Sequence, residues 1–129
     1  MAGTNNIKAL RIALVAIGFI FIVGVYPLTI YWPAGWMWHT SGQSNYLQMI
    51  LGIYVTLGVF LLLAARNPLK NLSLIWFTVW SSIAHGLIMA AQALAYPEHR
   101  GHLLGDVPAL LLIAIVLAFL TPKTTMAEA

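Results

Sequence analysis

The chain has 129 residues, of which 61% are hydrophobic and 7% charged, with a formal net charge of +3. A soluble domain carries about 25% charged residues because its surface faces water, so this chain is expected to have lipid as its main solvent. Six Lys and Arg against three Asp and Glu are too few and too scattered for a nucleic-acid footprint. The absence of cysteine excludes disulfides, thiolate metal sites and cysteine nucleophiles.

A helix rises about 1.5 Å per residue, so a hydrocarbon core of about 30 Å takes about 20 apolar residues to cross. Four runs approach that length. They predict an all-α, four-transmembrane-helix bundle forming a single integral membrane domain over 1–129, with spans near 9–30, 46–65, 72–95 and 104–121 and antiparallel neighbours. The runs do not alternate polar and apolar residues, so a membrane β-barrel is excluded.

The first run is longer than a secretory signal core, and no small-residue cleavage site precedes a soluble domain, so it reads as an uncleaved anchor. Pro27 inside it removes a backbone hydrogen bond and is expected to kink or end the helix. The loop that follows carries Trp32, Trp36 and Trp38. Tryptophan suits the headgroup boundary, where an apolar ring meets a wet N–H, so these three are expected to be interfacial anchors of a loop lying along the membrane surface. Stacking on a ligand is the alternative.

The second run is interrupted only by Tyr54, Thr56 and small residues; Gly52 and Gly58, with Gly86 further on, would let helices approach closely. The turn Arg66-Asn67-Pro68-Leu69-Lys70-Asn71 then closes a hairpin, because Pro68 cannot continue the preceding helix.

The third run is the unusual one. Thr78, Ser81, Ser82, His85, Met89 and Gln92 recur at spacings of three and four, which places them broadly on one helix face. Polar groups in lipid are costly, so that face should turn toward the other helices. His85, with Gln92, Ser81, Ser82 and Met89, is the candidate ligand-binding set. An imidazole at this depth can hold a cofactor or relay a proton; equally, a neutral His85 can hydrogen-bond a neighbour and knit the bundle. His39, His99 and His102 fall outside the expected spans, which argues against haem held by two histidines.

The last outer segment runs from Pro97 to Pro108 and gathers Glu98, His99, Arg100, His102 and Asp106. Asp106 resembles a helix cap for the fourth span, whose first turn tolerates Pro108. Asp106 is expected at the membrane boundary in a polar clasp with His99, His102 and Arg100, joined by His39 from the Trp-rich loop. The sharper version is a zinc or copper ion held by His99, His102 and Asp106, with His39 as a further ligand.

Basic residues set the orientation. Lys8, Arg11, Arg66, Lys70 and Lys123 fall on one side and Arg100 alone on the other, which predicts cytoplasmic N and C termini.

The segment from Asn45 to Gln92, with its glycine-bearing second span, the turn Ala64-Ala65-Arg66-Asn67-Pro68 and the polar stretch Ser81-Ser82-Ile83-Ala84-His85-Gly86-Leu87-Ile88-Met89, resembles small bacterial four-helix membrane proteins with DoxX-like organisation. The resemblance covers under half of the chain. It implies a four-helix bundle in a bacterial inner membrane, and a link to quinone-dependent oxidation that is drawn for some of those proteins. No catalytic residue is carried across.

With no soluble domain, nucleotide motif or paired intramembrane acids, the leading functional expectation is a non-catalytic accessory or structural subunit of a larger membrane complex. It would contact membrane lipids and other membrane subunits or further copies of itself, and would hold lipid or quinone. The alternatives are a redox component or enzyme acting on a quinone-like substrate through His85, and a small transporter.

Overall fold

The computed structural model describes residues 4–37 and 45–122. The described residues form helices throughout: α1 (Thr4–Phe19), a π-helical turn (Ile20–Gly24), α2 (Val25–Tyr31), α3 (Pro33–Trp36), α4 (Asn45–Ala64), a 3-10 turn (Pro68–Asn71), α5 (Leu72–Ala95), a 3-10 segment (Pro97–Leu104) and α6 (Asp106–Leu120). Taken as continuous units, Asn6–Tyr31, Asn45–Ala64, Pro68–Ala95 and Pro97–Leu120 are four helices long and apolar enough to cross a membrane.

Pro27 does not end the first span, which stays helical to Tyr31. A proline ring collides with the carbonyl four residues before it, here that of Val23. The chain answers by widening one turn upstream: the N–H of Val25 bonds to the carbonyl of Ile20. A π-turn of this kind bends a helix without breaking it. After α5 the chain runs through the 3-10 segment Pro97–Leu104 and the non-helical Gly105 before α6 opens at Asp106. The pre-proline turn at Pro68 behaves as expected: Asn67 is extended, and the Asn71 side-chain amide donates to the Asn67 carbonyl at 2.9 Å.

The packing is uneven. α5 and α6 share the largest interface, α1 lies against both α4 and α6, and α4 and α5 touch only sparsely. The main core joins Leu10 and Leu14 of α1, Leu61 of α4, Ile75 and Val79 of α5 and Leu117 of α6, all essentially sealed from outside. α1 meets α4 at two glycines. A Cβ added at Gly58 would lie 2.7 Å from the Gly18 carbonyl oxygen, and one added at Gly18 would lie 2.9 Å from the Gly58 carbonyl oxygen. The backbones therefore touch, as small residues allow in membrane bundles. A second cluster of Met89, Val107 and Leu110 packs against Tyr54 and lies between α5 and α6.

α3 is seated on the 3-10 segment. Cβ atoms at Gly101 and Gly105 would strike the backbone of Ala34 and Gly35, so these two glycines form the bed on which Pro33–Trp36 rests.

Candidate intramembrane polar site

Polar groups collect at two connected places inside the bundle. The first is the narrow contact between α4 and α5. The Tyr54 hydroxyl lies 2.5 Å from Nδ1 of His85, with the two rings 5.9 Å apart and 22° from parallel. Phe21 buttresses Tyr54 edge-on at 4.9 Å and 67°. When the hydroxyl donates to Nδ1, the neutral imidazole carries its proton on Nε2. Nε2 has no hydrogen-bond partner among the described residues, and the His85 side chain is half-buried. The ring thus offers one donor at the edge of the bundle where α4 and α5 part.

The second place is the junction of the 3-10 segment with α6. His102 is 1% exposed and Asp106 7% exposed. Their Nδ1 and Oδ1 atoms are 3.0 Å apart, and the His102 Nε2–H donates to the Met37 carbonyl at 3.1 Å. The Met37 oxygen can only accept, so Nε2 holds a proton; if Asp106 is ionised, Nδ1 holds one too. An isolated buried charge would be very costly, whereas this pair is neutral in sum and hydrogen-bonded. Tyr54 packs against the cluster that contains Val107, the residue after Asp106, so the two places are neighbours.

The residues named from sequence are divided by this arrangement. Ser82 and Met89 are buried, His85 and Ser81 half-buried, and Gln92 exposed at the far end of α5. Thr78 and Ser81 satisfy themselves on their own helix: the Thr78 hydroxyl donates to the Leu74 carbonyl at 2.9 Å and that of Ser81 to the Thr78 carbonyl at 3.3 Å. His85 reaches outward to α4 instead.

Asp106 is not the cap of the fourth helix. Gly105 holds that position without a side-chain bond, and Asp106, the first residue of α6, turns its carboxylate to His102. His102, in the 3-10 segment, and Asp106 both fall within the stretch Pro97–Leu120 that is long and apolar enough to cross a membrane. The clasp joins His102 and Asp106 to the segment after α3, but through the backbone of Met37. His99 stands next to the pair, its ring 5.8 Å from that of His102, whereas Arg100 is exposed. Both His102 nitrogens are engaged, which leaves neither for a metal, and among the described residues no group of three or more His, Cys, Asp or Glu could hold one. His39 and Trp38 lie outside the described residues. Trp32 is exposed, while the indole N–H of Trp36 is buried without a partner among the described residues.

Sequence reasoning gave Tyr54 no role. Its signal was slight: a phenol deep in an apolar run, where an O–H needs a partner.

A family model covers residues 4–129, that of a family of unknown function, DUF6632. The chain belongs to this family. No curated protein and no solved structure matches it. As a DUF6632 member it combines four apolar helices with the Tyr54–His85 and His102–Asp106 pairs, the build of a small multi-pass membrane protein with a polar interior.

Proposed function

We propose that this DUF6632 chain is an accessory membrane subunit that holds the head of a lipophilic, carbonyl-bearing molecule, of lipid or quinone type, where α4 and α5 part. The observation that carries this reading is the Tyr54–His85 bond, which fixes the ring and leaves the His85 Nε2–H without a protein acceptor among the described residues. A buried or half-buried donor without an acceptor is costly, and a ligand carbonyl satisfies it.

The surroundings suit such a molecule. A largely apolar groove of about 620 Å³ is lined by Met49, Gly52, Ile53, Thr56, Leu57 and Phe60 of α4 and by Leu74 of α5. Leu74 shares one flank of α5 with Ser81 and His85 at helical spacing, about 16 Å below His85 at 1.5 Å per residue. A head at His85 would let an acyl or isoprenoid tail run along this groove. Apolar lining with few placed polar groups is the usual build of a small-molecule site.

The redox reading uses the same groups, since a quinone is itself a carbonyl acceptor, and the fixed His85 tautomer would set the proton facing it. For the setting, a bacterial inner membrane with both termini cytoplasmic accords with the basic residues Lys8, Arg11, Arg66 and Lys70 at one end and Arg100 at the other. Antiparallel neighbours accord with Gly86 packing on Leu110 and Leu111 while Met89 packs with Val107.

The test is mass spectrometry of the lipophilic molecules retained by the protein purified in native membrane discs. The wild type should retain one class in stoichiometric amount, and His85→Ala should lose it while remaining folded. Equal content in both proteins would refute the reading.

A further inference from the structure

The α3 segment rests on bare backbone and is tied down by a histidine. Cβ atoms at Gly101 and Gly105 would strike the backbone of Ala34 and Gly35, so the contact beneath α3 is backbone on backbone. Beside it the His102 Nε2–H donates to the Met37 carbonyl at 3.1 Å, and the other nitrogen of the same ring lies 3.0 Å from Asp106 Oδ1. We infer that His102 and Asp106 form a proton-counted latch, which holds α3 on the 3-10 segment while the pair carries two protons and releases it when one is lost.

The acceptors set the count. A carbonyl oxygen has no proton to give, so Nε2 must hold one. The contact between Nδ1 and Oδ1 needs a second, held on either side: imidazolium facing carboxylate, or neutral imidazole facing carboxylic acid. A third proton, added in acid, breaks neither bond, because the imidazolium Nδ1–H can donate to the carbonyl oxygen of the acid. Removing one of the two leaves a neutral imidazole with a single N–H between a carboxylate and a carbonyl, and only one of the two bonds can then be made. A hydrogen bond to an ionised acceptor is roughly twice as strong as one between neutral groups. The remaining proton therefore stays on Nδ1 beside Asp106, and Nε2 turns a lone pair toward the Met37 oxygen. The latch opens on the α3 side, and it opens as pH rises.

Among the described residues, the 3-10 segment brings His99 to the pair, its ring 5.8 Å from that of His102, while Glu98 and Arg100 are exposed. Tyr96, which follows α5, meets the His99 ring edge-on at 6.3 Å. α4 brings Tyr54 against the cluster that contains Val107, and α5 brings His85, bonded to Tyr54. Neither Pro33–Met37 nor α6 beyond Asp106 carries a titratable side chain. Lys8, Arg11, Tyr26 and Tyr31 of the first span are exposed.

The latch needs no ligand, so failure of the ligand reading leaves it standing. Its test follows the amide protection of Gly35 and Met37, whose N–H groups bond to the Trp32 and Pro33 carbonyls, in the full-length protein in lipid nanodiscs. Protection, referred to an unstructured peptide at the same pH, should fall by about tenfold from neutral to alkaline pH, the order of one hydrogen bond lost. Over the same range the ¹⁵N signal of His102 Nε2 should lose its proton while Nδ1 keeps its own. The telling variant is Asp106→Asn. Its amide N–H donates to Nδ1, so a neutral ring keeps its proton on Nε2 for Met37 and α3 stays protected at alkaline pH. A pair that served only as an ion pair would leave Asp106→Asn less protected than the wild type at every pH, which would overturn the latch. His102→Gln has no proton to lose, so its protection should not vary with pH although His99 remains. Wild-type protection that ignores pH, or an Asp106→Asn that opens as the wild type does, would overturn the latch. So would a simultaneous fall in the protection of Tyr54, within α4, because the whole bundle would then be loosening. If Asp106→Asn does not fold, His102→Gln decides: protection lost over the wild-type range would assign the change to another group and refute the inference.

Discussion

His102 donates from Nε2 to the carbonyl of Met37, 65 residues earlier, while its Nδ1 faces Asp106. One buried ring therefore ties the segment after α3 to the start of α6. Replacing it with alanine cuts both ties and removes one hydrogen-bond partner of the buried Asp106 carboxyl. Leaving a buried polar group without its hydrogen bond costs about 1–3 kcal/mol. Thermal unfolding of His102→Ala in detergent or nanodiscs should show a loss of that order, and the double variant His102→Ala/Asp106→Ala should recover part of it. A single variant as stable as the wild type would mean that the pair does not hold the bundle.

The glycine crossing of α1 and α4 makes a sharper comparison. Gly58→Ala places a methyl against the Gly18 backbone, and overpacking of this kind costs about 1–3 kcal/mol. Gly52, on the same helix, has open space where its Cβ would be, so Gly52→Ala should cost nothing and gain up to about 1 kcal/mol from helix propensity. Unfolding curves of the two variants should separate in that order. Equal effects would contradict the crossing.

The bed under α3 predicts a local effect. A methyl at Gly101 or Gly105 strikes the backbone of Ala34 or Gly35. Amide hydrogen exchange at Gly35 and Met37, whose N–H groups bond to the Trp32 and Pro33 carbonyls, should accelerate in Gly101→Ala and Gly105→Ala. Protection of Tyr54, within α4, should be unchanged.

The reach of the sequence varies from element to element. The first three spans stand out because their apolar runs match the length of a membrane crossing, but which apolar residues seal the core, Leu14, Leu61 and Ile75 among them, is not marked in those runs. The fourth does not announce its start. Glu98, His99, Arg100 and Gly101 read as a surface loop and are indeed exposed or half-buried; the buried residue of the stretch is His102, paired with Asp106 and the Met37 carbonyl. Pairing of that kind is a property of two residues together and has no one-dimensional signal. Tyr54 was hidden for a related reason: its meeting with His85 depends on the register of α4 against α5. Pro27 announced a disturbance, but the choice between a break and a π-turn is made by what packs around Phe21 and Val25, not by the proline alone.

The basic residues predict the topology. Reporter fusions after Lys70 and at the C terminus should both read cytoplasmic, and one near Gly101 should read external. An external C-terminal reporter would overturn the orientation.

The central claim is that the Tyr54–His85 bond presents one ring N–H to a carbonyl in the α4–α5 gap, and the most direct measurement is the ¹⁵N resonance of His85 at fixed pH. The wild type should show Nδ1 as acceptor and Nε2 as the protonated nitrogen. Adding a short-chain quinone or a diacyl lipid to delipidated protein should shift the Nε2 resonance saturably and leave both His102 nitrogens where they were. An Nε2 resonance that ignores both probes, or a proton found on Nδ1, would contradict the account.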